Sequence, residues 1–168
     1  MESVKYGILV VDDEEPIRNL VVTFLARLGH WCVKATDGVD ALVKMKENKI
    51  DAIITDIKMP KMDGIKLTEA ILKQYPGLPI MVMTGFAEEN TAEGAISAGA
   101  WEFIQKPFSG EELNIRLNKM VKASQTIRQV KDEGGEEDVR DLLGDLEAAL
   151  SDPLPSGFRA SLGGNVPK

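Results

Sequence analysis

The strongest constraint on this chain is the run Ile50-Asp51-Ala52-Ile53-Ile54-Thr55-Asp56, a short apolar stretch that stops on a carboxylate. Its β-branched centre, followed by Lys58-Met59-Pro60 and Met62-Asp63-Gly64, reads as a central parallel strand with a turn behind it. Tyr6 to Val11, Trp31 to Ala35, Pro79 to Thr84 and Trp101 to Lys106 are further short runs of strand character. The stretches between them have helical spacing. Ile17, Leu20, Val21, Phe24, Leu25 and Leu28 form one stripe that stops at Gly29; Gly38 to Glu47 carries Ala41, Leu42 and Met45. Gly64 to Tyr75 carries Ile65, Leu67, Ile71 and Leu72, and Glu88 to Ala98 is a weaker helix with Gly94 inside. A last helix begins at Ser109-Gly110-Glu111-Glu112, which has capping-box spacing, and shows Leu113, Ile115, Leu117, Met120 and Val121 as its apolar side. Strands alternating with helices predict an α/β fold, a doubly wound five-stranded parallel sheet with helices on both faces.

Composition narrows the function. A net charge of −7 argues against a nucleic-acid binder, which needs clustered Lys and Arg. No apolar stretch approaches a membrane span, and the N-terminus lacks a signal-peptide core. The single Cys32 reads as a buried strand thiol in a reducing compartment, and the expectation is a cytoplasmic protein. Domain organisation is expected as 1–124 for the folded unit and 125–168 for a charged linker, a short amphipathic helix and a disordered tail. In that tail Val139, Leu142, Leu143, Leu146 and Leu150 share one helical face. Such a helix can dock back, pair with a second copy or bind another protein, and on its own it is barely stable in water.

In open α/β sheets ligands collect beyond the carboxyl ends of the strands. That edge receives Asp12 and Asp13 from the first strand, Asp56 from the third, Thr84 from the fourth and Lys106 from the fifth. Asp12 to Glu15 place four acids in a row, more than capping the next helix requires, and they repel one another unless a cation is shared. Three carboxylates form a hard-oxygen site suited to Mg²⁺. A carboxylate nucleophile can accept a phosphoryl group, cations can neutralise its oxygens, and a hydroxyl can hydrogen-bond to it.

At these residues the sequence resembles the receiver domain of two-component response regulators. The matching pieces are Val10-Val11-Asp12-Asp13-Glu14, Asp56 with Met59-Pro60 and Met62-Asp63-Gly64, Met83-Thr84-Gly85, and Gly99-Ala100 with Phe103 and Lys106-Pro107-Phe108. The resemblance runs from about residue 5 to 123 and implies the flavodoxin-like strand order 2-1-3-4-5. It also implies that Asp56 is the phosphoacceptor, charged from a sensor histidine kinase or a histidine phosphotransfer protein. Asp13, Asp56 and the backbone carbonyl of Lys58 would hold Mg²⁺, with Asp12 in support. Lys106 would pair with the phosphoryl group, across a cis bond to Pro107. Thr84 and Phe103 would form the switch pair, and the fourth helix, fifth strand and fifth helix would contact a downstream protein or a second copy. No effector segment of domain size follows, so output is expected through protein contact without a DNA-binding domain.

Two other readings use similar residues. A phosphorelay intermediate would pass the group onward. A phosphatase of the haloacid-dehalogenase type also uses Asp, Thr, Lys and Mg²⁺, but its nucleophile follows the first strand in an Asp-x-Asp arrangement. A flavin protein of this fold is disfavoured, because no Ser/Thr-rich loop follows the first strand. Phe86, two past Thr84, is expected to shield an acyl phosphate from water. Trp101 alternates onto the side of Phe103 and either marks a partner site or packs on a helix. His30 reads as a surface residue.

Overall fold

Strand β1 (Gly7–Val11) is buried along its whole length, and its side chains divide the molecule into two cores. Ile8 and Val10 point to one side of the sheet and Leu9 and Val11 to the other, as strand alternation requires. The structure, a computed structural model, describes residues 5–85 and 89–133; of 89–92 and 130–133 only the backbone is described. Phe86 and the 139–150 stretch lie outside the described residues.

The order of elements is β1, α1 (Glu15–Arg27), β2 (Trp31–Ala35), α2 (Gly38–Glu47), β3 (Ala52–Asp56), α3 (Gly64–Gln74), β4 (Ile80–Thr84), α4 (Glu89–Ala98), β5 (Glu102–Gln105) and α5 (Gly110–Glu133). All pairings are parallel, in the order β2-β1-β3-β4-β5. Parallel strands need crossovers, and each helix covers a face of the sheet. Helices α1 and α5 close the core of Ile8, Val10, Ile54, Met81 and Met83, while α2, α3 and α4 close that of Leu9, Val11, Ile53, Ile80 and Val82. The expected fold class and strand order are both present.

Gly29 ends α1 with φ +90, a conformation that costs a residue with a Cβ. Gly94 weakens α4 by propensity, yet a Cβ there would stand 3.2 Å from Ile65 Cδ1, so its bareness lets α4 approach α3. Ser109 caps α5 as expected, its Oγ accepting from the Glu112 N–H at 3.0 Å. The Glu112 carboxylate turns instead to Arg116 at 3.3 Å.

Other expectations are corrected. His30 is buried, not on the surface: its Nδ1 accepts the Tyr6 N–H at 3.1 Å and its ring stacks on Tyr6 at 5.2 Å. Burial lowers its pKa, and an imidazole accepting at Nδ1 is neutral there. Leu20 and Ile115 face solvent, at 46% and 59% exposure, because each falls off the buried stripe of its helix. Cys32 is only half-buried, since β2 is an edge strand. Trp101 and Phe103 do not share a side: Trp101 precedes β5 and is buried, whereas Phe103 within it is 41% exposed.

Helix α5 does not stop near residue 125 but runs to Glu133, so the expected charged linker begins inside it. Past that point Ile127 is 3% exposed and packs in the same core as Tyr6, Trp101 and Met120. Ile127→Ala is therefore expected to cost about 2–4 kcal/mol in urea unfolding. A chain ending at 124 should lose at least as much; equal midpoints for all three proteins would contradict this packing.

Candidate functional site

All five strands are parallel, so their carboxyl ends open on one edge, and the register decides which residues meet there. Val11 pairs with Thr55, which brings Asp12 alongside Asp56 one residue later. Asp56 pairs with Met83, and Thr84 with Gln105. The Lys106 N–H donates to the Thr84 carbonyl at 2.7 Å, continuing the β4–β5 ladder one step past the strand. The Lys106–Pro107 peptide bond is cis.

Three carboxylates result: Asp12, Asp13 and Asp56 each offer an oxygen within 4.8 Å of the others. Asp12 is fully buried, Asp56 is 7% exposed and Asp13 faces solvent. Lys106 Nζ reaches Asp56 Oδ1 at 3.1 Å and Asp12 Oδ2 at 3.5 Å. Asp12 Oδ1 accepts the Glu14 N–H at 2.9 Å, which fixes its carboxylate at the start of α1. Arg18 Nη1 donates to the Asp12 carbonyl oxygen at 2.7 Å. Sequence reading had no means of finding Arg18, because an arginine in the first turns of a helix carries no signal that its head group returns to the strand end.

Behind Asp56 the chain turns tightly. The Gly64 N–H donates to the Ile57 carbonyl at 2.8 Å, and Gly64 lies so close to the Asp56 carbonyl that no Cβ fits between them. Asp63 caps α3 by accepting the Lys66 N–H at 2.8 Å. Between these points Lys58 is exposed and Lys61 adopts φ +70. Thr84 is buried at the end of β4. Phe103 belongs to a different neighbourhood, paired with Val82 on the edge strand and open to solvent. The site therefore brings together Asp12, Asp13, Asp56 and Lys106, with Thr84 next in the ladder, and leaves Phe103 outside.

Electrostatics follow from burial. Desolvation pushes Asp56 up to about 6; the negative Asp12 adds to this, and the Lys106 ammonium only partly offsets it. Asp12 is raised for the same first reason, its bonds to Glu14 and Lys106 working against the shift. Burial pulls Lys106 down, but Asp56 and Asp12 outweigh it and the net direction is upward. Among the described residues, two buried carboxylates and a third exposed one thus gather beside the Lys106 ammonium. Hard oxygen donors and an unbalanced negative charge suit a small divalent cation. Among the described residues no helix is long and apolar enough to cross a membrane.

Comparison with known proteins agrees with this geometry. The family described as response regulator receiver domain matches residues 8–118. A putative NtrX-like response regulator of Rickettsia bellii is 35% identical over 124 residues, 73% of this chain and 26% of that protein. The alkaline phosphatase synthesis transcriptional regulatory protein PhoP of Bacillus subtilis is 34% identical over 155 residues, 92% of this chain and 64% of that protein. The chain thus spans about a quarter of the first relative's length and less than two thirds of the second's. The crystal structure of the receiver domain of NtrX from Brucella abortus superposes with a TM-score of 0.67 at 36% identity, covering 68% of this chain and 98% of that one.

The raised Asp56 pKa has a sign that can be tested. Between 3.8 and about 6 the folded chain binds more protons at Asp56 than the unfolded chain, so this contribution to stability falls as pH rises through that window. With Mg²⁺ chelated, Asp56→Asn should stabilise the fold by on the order of 2–3 kcal/mol above pH 6, shrinking towards zero below 3.8. Urea melts across that range check it, and a gain independent of pH would assign the effect to something other than this carboxylate.

Proposed function

Because this chain belongs to the response regulator receiver domain family, and is thus a receiver domain of a two-component system, we propose that Asp56 is its phosphoacceptor. The observation that carries this is the contact of Lys106 Nζ with Asp56 Oδ1 at 3.1 Å inside the three-carboxylate cluster. The donor is a phosphohistidine on a sensor histidine kinase or a histidine phosphotransfer protein. An ionised Asp56 oxygen forms the new O–P bond as the N–P bond breaks, and the imidazole leaves with that electron pair and takes up a proton. Asp12, Asp13, Asp56 and the Lys58 backbone carbonyl would hold Mg²⁺, which supplies positive charge to the phosphoryl oxygens when bound.

Lys106 already points its ammonium at Asp56 and can turn to an oxygen of the incoming group without crossing bulk water. Its upward-shifted pKa keeps it charged for that task. The Thr84 hydroxyl then donates to a phosphoryl oxygen, and movement of Thr84 opens space into which the exposed Phe103 ring turns. This biases the face made by α4, β5 and α5, where Phe103 and Ile115 are exposed and Arg116 ties β5 to α5 through Glu102 at 2.9 Å. Output by contact with a protein or a second copy through that face, in the cytoplasm, completes the reading. Residues 134–168, which follow α5, act as an extension to it. Catalysis is limited to the domain's own phosphorylation and dephosphorylation.

Incubation with Mg²⁺ and acetyl phosphate, followed by intact-mass spectrometry, should show one added phosphoryl group. Asp56→Asn should abolish it, and Lys106→Ala should slow its accumulation about a hundredfold. A phosphorylated Asp56→Asn chain would disprove the assignment. Light scattering before and after phosphorylation distinguishes self-association, which raises the mass, from contact with another protein, which does not.

A further inference from the structure

Gly38 opens α2 and is buried, but its backbone lies outside the left-handed region, so conformational freedom does not explain a glycine there. Space does. A Cβ on Gly38 would stand 2.8 Å from Met62 Cβ, 2.9 Å from Cγ and 3.0 Å from Sδ. The first of these contacts cannot be relieved by changing a rotamer, because Met62 Cβ is fixed to the backbone. A methyl group at Gly38 must therefore shift the backbone at Met62 or at the start of α2.

That chain is the loop 57–63, which leaves Asp56 and returns to α3. Its ends are tied by the Gly64 N–H to the Ile57 carbonyl and by the Asp63 cap. Its middle passes through Lys61 at φ +70, a conformation that persists where the surroundings enforce it. Lys61 Nζ lies 3.7 Å from Asp37 Oδ2, beside the Gly38 contact. The seat itself is rigid. Asp37 Oδ1 accepts the Asp40 N–H at 2.8 Å while Asp40 Oδ2 accepts the Thr36 N–H at 3.0 Å, so the first turn of α2 is closed reciprocally.

We propose that Gly38 and Met62 are positioning residues: the bare start of α2 is a seat for Met62 that sets how loop 57–63 stands over Asp56, and so where the Lys58 carbonyl meets the carboxylate cluster. This rests on the phosphoacceptor reading above. Neither residue supplies a carboxylate or an ammonium to the site. Their effect is on metal affinity, through a backbone oxygen whose place is set by a contact on the far side of the loop.

Calorimetric titration of the full chain with Mg²⁺ tests it, alongside urea unfolding of each variant without metal. Wild type should bind Mg²⁺ in a manner lost in Asp13→Asn. Gly38→Ala and Met62→Ala should each weaken that binding about tenfold in the folded protein. A purely structural role would lower the urea midpoint and leave Mg²⁺ affinity unchanged, which would overturn the proposal. If Gly38→Ala does not fold, Met62→Ala decides alone, since it leaves α2 intact; affinity equal to wild type would reject the positioning role. Absence of Asp13-dependent binding in wild type would instead remove the phosphoacceptor reading, and this inference with it.

Discussion

Two buried carboxylates share the Lys106 ammonium at the carboxyl edge of the sheet. Asp12 and Asp56 lie within reach of Lys106, and burying charges of like sign together is unfavourable unless cations and hydrogen bonds compensate. Compensation here is partial, as the raised pKa of both acids shows. The fold tolerates this because apolar strands carry each residue to the edge. Ile53 and Ile54 before Asp56, Val10 and Val11 before Asp12, and Ile104 before Lys106 are all fully buried. Hydrophobic burial along the strands holds in place charges that would otherwise separate.

The surroundings of the site divide into held and open parts. Asp12 is fixed by the Glu14 N–H and its carbonyl by Arg18, and the Asp56 turn is closed by Gly64. On the far side Phe103 is open to solvent on an edge strand, and α4 has an Ala- and Gly-rich sequence. The carboxylate end of the sheet is thus held by hydrogen bonds, while an aromatic ring of the edge strand stays open to solvent.

Much of the site was legible in the chain because apolar runs that end on charge have few placements. Parallel strands starting at one edge must deliver Asp12, Asp13, Asp56, Thr84 and Lys106 to the other. What was not legible depends on neighbours distant in sequence. His30 looked like a loop residue beyond a helix, but Tyr6 comes to lie against it across the start of β1. Trp101 and Phe103 have the spacing of one strand face, yet β5 starts a residue after Trp101. Helix α5 continues past residue 125 because Ile127 finds a place beside Tyr6 and Trp101, although the sequence around it turns polar.

The sequence by itself determined the α/β class, the elements and the residues at the strand ends, because periodicity of two or 3.6 and a closing polar residue are local properties of a chain. The tertiary structure alone decided that Lys106 lies 3.1 Å from Asp56, that Phe103 is exposed while Trp101 is not, and that Gly38 is bare to admit Met62. Each of these depends on which surfaces meet across the sheet or between a loop and a helix. No window of the chain holds both partners of such a contact.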